Sequence, residues 1–520
     1  MEPKPRRGRD DRARRPHRTA RVVKPAFVFG GGLLLAALAV ATSAAASPPV
    51  GRDALLRLTA RGLRVSAELY DLDRHRPLAA FAPGQRLIPA SLSKLYVAVA
   101  ALRRWPADHR FTTRLYEFGP LRPGGVLEGG LILRGGGDPT LTYARLARLA
   151  LAAAALGIRR TTLPLIIVPG RLVPVPCAPR DRCRARQSAR AAYLAPLSPL
   201  EVDYGTYDLL VRPGRRAGLP AAVALLPFPL RGVRLIARVR TVQAGEPTFL
   251  TAHRASGQQR TRITVNGTIA RRSPPHHLYV AAGRPGRLAA RLFSGLLRRV
   301  GVHVPAGFAR RPHLPPGARL LVAVRGESLA RILHAMVAYS NNVIADLLTL
   351  DWARSVRGHP PASLGEASRT LARSLAPLLL RYGARRRPRL LSGSGLSVGN
   401  RSSARELVAL LRAGYARTAS FPTLLGSLAL PGQTPMRFID DPTDTVWEDR
   451  VAVKTGTLTT PYAVVGLAGY LRLARGGWGA FAVLVNGTPR HPSVSVGTVL
   501  TAVRRFLAPD LKRTARPVRP

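Results

Sequence analysis

Three short stretches of this chain carry residue types that can do acyl-transfer chemistry. The first lies in "LIPASLSKLYVAVAAL", where Ser91 and Lys94 stand three positions apart. On a helix that spacing puts both side chains on one face, so a hydroxyl and an amine would meet there. A serine hydroxyl is a weak nucleophile until a base takes its proton. A lysine is such a base only when burial or a second cation brings its pKa from about 10.4 towards 7 or 8. The second stretch is "AYSNNVIADLL", in which Ser340 and Asn342 interrupt an apolar helical pattern. The third is "VAVKTGTLTT", in which Lys454, Thr455, Gly456 and Thr457 follow an apolar run. A strand edge with a lysine, two hydroxyls and a glycine suits an extended peptide ending in a carboxylate, because glycine lets a ligand backbone come close. Each stretch also has a plainer reading alone: Ser91 as an N-cap with Lys94 a surface charge, S-N-N as cap and loop at a helix junction, K-T-G as an ordinary strand end.

The elements that must position these residues can be read from pattern. Pro89 cannot continue a helix from upstream, so a helix is predicted to begin near Ala90 or Ser91, and Leu95, Val97, Ala98, Ala101 and Leu102 bury most of its sides. Upstream, "LRVSAELYDL" alternates as a half-buried strand and "PLAAFAPGQ" is its expected hairpin partner. Near the other end "VAVKTG", "YAVVGLAGYL" and "GAFAVLVNG" read as three strands, and "SVGTVLTAVRRFLA" as a closing helix. Strands at both ends with helices between them imply one α+β domain whose antiparallel sheet is built from the two termini. Leu329, Ile332, Leu333 and Met336 fall at helical spacing before the S-N-N break, and Val343, Ile344 and Leu347 resume the pattern after it. Between roughly Phe111 and Leu314 the texture changes to short strands bounded by Gly, Pro and Asn, such as "LPLIIVPG", "TYDLLVRPG" and "RTRITVNGTIA", with one Ala-rich helix, "YARLARLALAAAALGI". This middle reads as one or two strand-rich insertion domains.

Composition narrows the functional classes. The 520 residues carry 81 Lys and Arg against 27 Asp and Glu, a formal charge of +54. Nucleic acid is nevertheless a poor partner: the arginines are spread along the whole chain, and with 6% aromatic residues base-stacking platforms would be scarce. Loose association with an anionic envelope polymer or membrane surface, adaptation to an acidic compartment, or plain Arg-rich codon bias fit the charge better. A basic segment up to Lys24, an apolar run from Ala26 to about Ala41 and a small-residue site in "TSAAAS" read as an export signal over residues 1–46, or as a membrane anchor if it is retained. In an oxidising compartment Cys177 and Cys183, the two cysteines, would close a local disulfide. The sequence has no H-E-x-x-H, no P-loop and no dinucleotide fingerprint, so neither metal nor cofactor is expected.

Taken together and in this order, S-x-x-K, S-x-N and K-T-G resemble the motif set of penicillin-binding proteins and serine β-lactamases. The wide gap between Ser91 and Ser340 is similar to that of the D-alanyl-D-alanine carboxypeptidase/endopeptidase family, the low-molecular-mass class C penicillin-binding proteins, which insert two domains between the first two motifs. "LILRGGGDPTL", "APLSPLEVDY", "VNGTIA" and "SGSGLSVGNRSSARELVALL" are similar to the same family. The resemblance covers about Arg52 to Leu507. It implies a transpeptidase-type catalytic domain over 47–115 and 317–510, one insertion domain over 116–137 and 227–316, a second over 138–226, and a basic tail over 511–520. It further implies a serine DD-peptidase of the periplasm or cell envelope that hydrolyses D-Ala-D-Ala ends, and D-Ala-diaminopimelate cross-links, of peptidoglycan stem peptides, with β-lactams as covalent inhibitors. Ser91 would be acylated, Lys94 would be its base, Ser340 would relay a proton and Asn342 would hold the substrate amide. Lys454 and Thr455 would bind the terminal carboxylate, and the amides of Ser91 and Thr457, beside Gly456, would form an oxyanion hole. A serine β-lactamase and a non-catalytic wall-binding protein are the alternatives. Two departures from the family's pattern stand out: Ser392 occupies the place of an Asp before G-S-G-L, and Val168 and Pro169 stand in the neighbourhood where members carry an acidic residue that grips the stem-peptide side chain, so that either selectivity is looser or Asp181 substitutes.

Overall fold

The computed structural model describes residues 51–170, 180–257, 260–433 and 439–511. The expected export signal and Cys177 lie outside them. The half of the chain that carries the three motifs is organised by a five-stranded, fully antiparallel sheet in the order Val451–Leu458, Val464–Arg472, Trp478–Asn486, Arg64–Asp71, Arg76–Phe81. Its strands come from both ends of the sequence, as predicted. Helices Arg52–Ala60 and Val496–Leu511 cover one face, packing Leu55, Leu58, Val503 and Phe506 against Val65, Leu69, Phe481 and Val483. The other face is covered by helices that include Ser93–Arg104 and Ala404–Tyr415.

The alternation of Arg64–Asp71 is therefore not that of a half-buried strand. All but Arg64 are buried, including Ser66 and Glu68. Ser66 survives burial because its hydroxyl donates to the Pro83 carbonyl and accepts from the Ala404 amide. Polar residues on this strand meet a helical layer instead of water, a distinction that periodicity cannot make.

The chain leaves and re-enters this half at one place. Strands Arg110–Phe118 and Arg319–Ser328 pair antiparallel, and the amide of Leu329 donates to the His109 carbonyl. With Gly130–Arg134, Leu165–Val168 and Phe308–Arg310 they form a second five-stranded sheet. The expected boundary at 115/116 falls within the first of these strands, because the paired stem belongs to the sheet of the inserted region. Beyond it stand a four-stranded sheet that includes Val233–Val242, Phe249–Ser256 and Thr261–Ala270, and a three-stranded sheet of Ala222–Leu226, Thr206–Arg212 and His276–Ala281. Among the described residues no helix is long and apolar enough to cross a membrane.

Candidate active site

The first motif begins on a bent backbone. Residues Ala90–Leu92 form a single 3₁₀ turn that leads into helix Ser93–Arg104, and Ala90 holds a left-handed φ of 48°. That conformation costs a non-glycine residue about 1–2 kcal/mol, and the surrounding packing holds it. Gly395 is one cause: a Cβ there would stand 1.8 Å from the Ala90 carbonyl oxygen. Gly456 packs from the other side, where a Cβ would stand 2.9 Å from the Pro89 oxygen and 3.2 Å from the Ser91 nitrogen. The strand edge and the turn with Ser91 thus touch backbone to backbone.

Ser91 caps no helix, and Lys94 is no surface charge. Lys94 is fully buried, and its Nζ lies within hydrogen-bond distance of three oxygens: Ser91 Oγ at 2.9 Å, Asn342 Oδ1 at 2.8 Å and the Ser394 carbonyl at 2.8 Å. Burial pushes its pKa well below the usual lysine value, and the positive charge of Lys454 pushes the same way. Lys454 is itself buried, its Nζ without a hydrogen-bond partner among the described residues, and burial holds it down to about 7.

The S-N-N junction divides its labour. Helix Leu329–Val337 ends before it and helix Asn342–Arg357 starts in it. Asn341 is the N-cap, accepting from the amides of Val343 and Ile344. Asn342 is thereby left to face Lys94 with its oxygen, while its nitrogen donates to the Tyr193 carbonyl at 3.3 Å. Ser340 sits on the same bend with a left-handed φ of 56°. Thr455 is buried and Thr457 exposed on strand Val451–Leu458.

The structure brings together motifs from three distant parts of the chain, with Ser91 beside the buried amine of Lys94 and Lys454 near enough to act on it. A family model described as the D-Ala-D-Ala carboxypeptidase 3 (S13) family matches residues 61–503. The chain belongs to that family. As a member it is a serine-type D-Ala-D-Ala peptidase. It is 30% identical over 482 residues to the D-alanyl-D-alanine carboxypeptidase of Actinomadura sp. (strain R39), spanning 89% of this chain and 83% of that one. It is 25% identical over 441 residues to the D-alanyl-D-alanine carboxypeptidase DacB of Haemophilus influenzae, spanning 82% and 86%. The crystal structure of penicillin binding protein 4 (dacB) from Haemophilus influenzae shares the fold, with a TM-score of 0.69, 21% identity and coverage of 87% of this chain and 98% of that one.

The two departures of this S13 chain have different outcomes. Ser392 supports its loop without a carboxylate: its hydroxyl accepts from the Ser397 amide at 3.1 Å, and its carbonyl accepts from Asn400 Nδ2 at 2.9 Å. Val168 is a buried strand end with no charge to offer, and the side chain of Asp181 lies outside the description. A cavity of about 500 Å³ does open beside Ser340 and Asn342, with Asp203, Asp208 and six of the chain's 13 tyrosines in its wall, among them Tyr204, Tyr279 and Tyr339. Asp208 is paired with His277 at 2.9 Å. Among the described residues the Asp203 carboxylate accepts a single long bond, from the Tyr143 amide at 3.4 Å, and burial pushes its carboxyl up to about 6.

Sequence reasoning missed Asp203, Asp346, Ser394 and Arg182. Asp346 had a signal, standing four residues after Asn342 and so on the same helix face. Arg182 had none, being one basic residue among 81.

Proposed function

We propose that Ser91 is the nucleophile of a DD-peptidase that opens D-Ala-D-Ala ends of stem peptides and D-Ala-diaminopimelate cross-links. The observation that carries this reading is Lys94: fully buried, 2.9 Å from Ser91 Oγ, and with its pKa pushed well down by burial and by the charge of Lys454. Neutral Nζ takes the Ser91 proton as Oγ attacks the carbonyl of the penultimate D-alanine. The Ser91 and Thr457 amides hold the oxyanion, a contribution worth about 3–4 kcal/mol. The C–N bond then breaks, the leaving amine takes a proton through Ser340, and Asn342 holds the substrate amide. Lys454, still able to carry charge near neutrality, takes the terminal carboxylate with Thr455, and Gly456 keeps the strand close enough for it. Water, activated by the same Lys94, resolves the ester.

A side chain ending in an ammonium would fit the tyrosine-walled cavity, where Asp203 is short of partners. The inserted region, which we divide as 116–137 with 227–316, and 138–226, supplies most of that wall. Export by the leader, and loose attachment to an anionic wall polymer or membrane surface through the basic excess, complete the reading.

Intact mass after incubation with benzylpenicillin tests it. A single covalent adduct on the wild type, mapped to Ser91 and absent from a folded Ser91→Ala variant, is the expected result. An adduct that persists on Ser91→Ala would overturn the assignment of the nucleophile.

A further inference from the structure

One side chain of the inserted region reaches past the cavity wall to the carboxylate that supports the Lys94 pocket. Arg182 stands on the short helix Arg180–Arg184, next to Cys183, which is disulfide-bonded. Only 1% of it is exposed, and Nη1 donates to Asp346 Oδ2 at 2.5 Å. Its Nε and Nη2 have no hydrogen-bond partner among the described residues. A guanidinium in that state is poorly compensated for lost water, so the contact is not explained by stability.

Asp346 passes the contact on. Its Oδ1 accepts from the Ser394 amide at 2.8 Å, and the Ser394 carbonyl accepts from Lys94 Nζ at 2.8 Å. Asp346 also lies one turn beyond Asn342, whose oxygen accepts from the same amine. Two of the three acceptors around Lys94 therefore rest on elements that Asp346 joins.

We infer that Arg182 is a positioning residue for the DD-peptidase reaction: it anchors and neutralises Asp346, so that Asp346 can fix the Ser394 loop against Lys94 without holding a proton on that base. The inference rests on Lys94 acting as the base of Ser91. The charged groups that act on Lys94 are Lys454 from the sheet edge, Asp346 from the helix after S-N-N and Arg182 from the insertion. The two cations push its pKa down and Asp346 pushes it up. Glu201, also buried, has its pKa raised by burial, against which the charge of Arg182 pushes down. Losing Arg182 removes one downward push and unmasks the upward one, so both changes act in the same direction.

The test is the pH dependence of benzylpenicillin acylation in the full-length chain, alongside thermal unfolding. Arg182→Gln should move the acid limb up by roughly one pH unit, and so slow acylation by about tenfold at pH values on that limb. Asp346→Asn, which removes the upward push, should move the limb down. Arg182→Gln with Asp346→Asn should bring it back towards the wild type, and Arg182→Lys should keep most of the wild-type profile. A merely structural role would lower the rate or the melting temperature and leave the limb in place, and that result overturns the inference. If Arg182→Gln does not fold, Asp346→Asn decides: a limb that moves down supports the inference, and an unmoved one refutes it. Adduct mapping to Ser91 in the wild type tests the underlying reading separately.

Discussion

Replacing Lys454 with methionine should make the protein more stable and at the same time remove its hold on a carboxylate-ended peptide. Burial holds this ammonium down to about 7, against 10.5 for a free lysine. At 1.36 kcal/mol per pKa unit the gap sets a ceiling of about 5 kcal/mol on what burying the charge costs. Relaxation and water entry soften such penalties, so a gain of about 2 kcal/mol is expected for an unbranched apolar side chain of similar volume. The sign follows from proton counts. The folded pKa lies below the unfolded one, so between about pH 7 and pH 10.4 the unfolded chain binds the extra proton, and wild-type stability rises with pH across that window. Below about pH 7 the penalty is present in full. The advantage of Lys454→Met should therefore be largest near pH 6 and fade towards pH 10. Relief of Lys94 from its neighbouring charge adds in the same direction at low pH. Thermal unfolding of both proteins across this range reads the difference directly, since all other titrating groups are shared. Hydrolysis of a D-Ala-D-Ala peptide should be lost in parallel. A variant less stable than the wild type at pH 6, or a difference that does not change with pH, would mean that the Lys454 charge is well partnered in the folded protein and would refute the reasoning.

Two further substitutions test the geometry. Gly456→Ala places a methyl 2.9 Å from the Pro89 oxygen, which must push the strand edge from the turn of Ser91; acylation by benzylpenicillin should slow by about tenfold or more, with a fall of only a few degrees in melting temperature. Asp203→Asn keeps the oxygen that accepts from Tyr143 but removes the charge from the tyrosine-walled cavity. KM should rise severalfold for stem peptides with a side-chain ammonium, while benzylpenicillin acylation stays unchanged; equal effects on both would show that Asp203 acts on the fold instead.

The elements of the catalytic half were legible in the sequence because each is a local matter. Pro89 set the start of the turn, the apolar runs marked the three C-terminal strands, and Asn341 with its neighbours signalled a helix start. The residue types at 91, 94, 340, 342 and 454 to 457 also named a chemistry, since order and local context are carried by the chain itself. Their energies were not legible. Whether Lys94 was a surface charge or a base depended on what covers it, and that cover comes from Asn342, Ser394 and Lys454, each hundreds of residues away. The strand Arg64–Asp71 read as half-buried because its period is two, and only the helical layer over its second face made Ser66 and Glu68 interior. Arg182 is the extreme case. Nothing in its neighbourhood distinguishes it from the other arginines, and it acquires meaning only where tertiary packing removes water from it and sets its charge against Asp346. Spacing along a chain determines which side chains share a face, whereas burial, which pushes down the pKa of both lysines in this site, is decided by the whole fold.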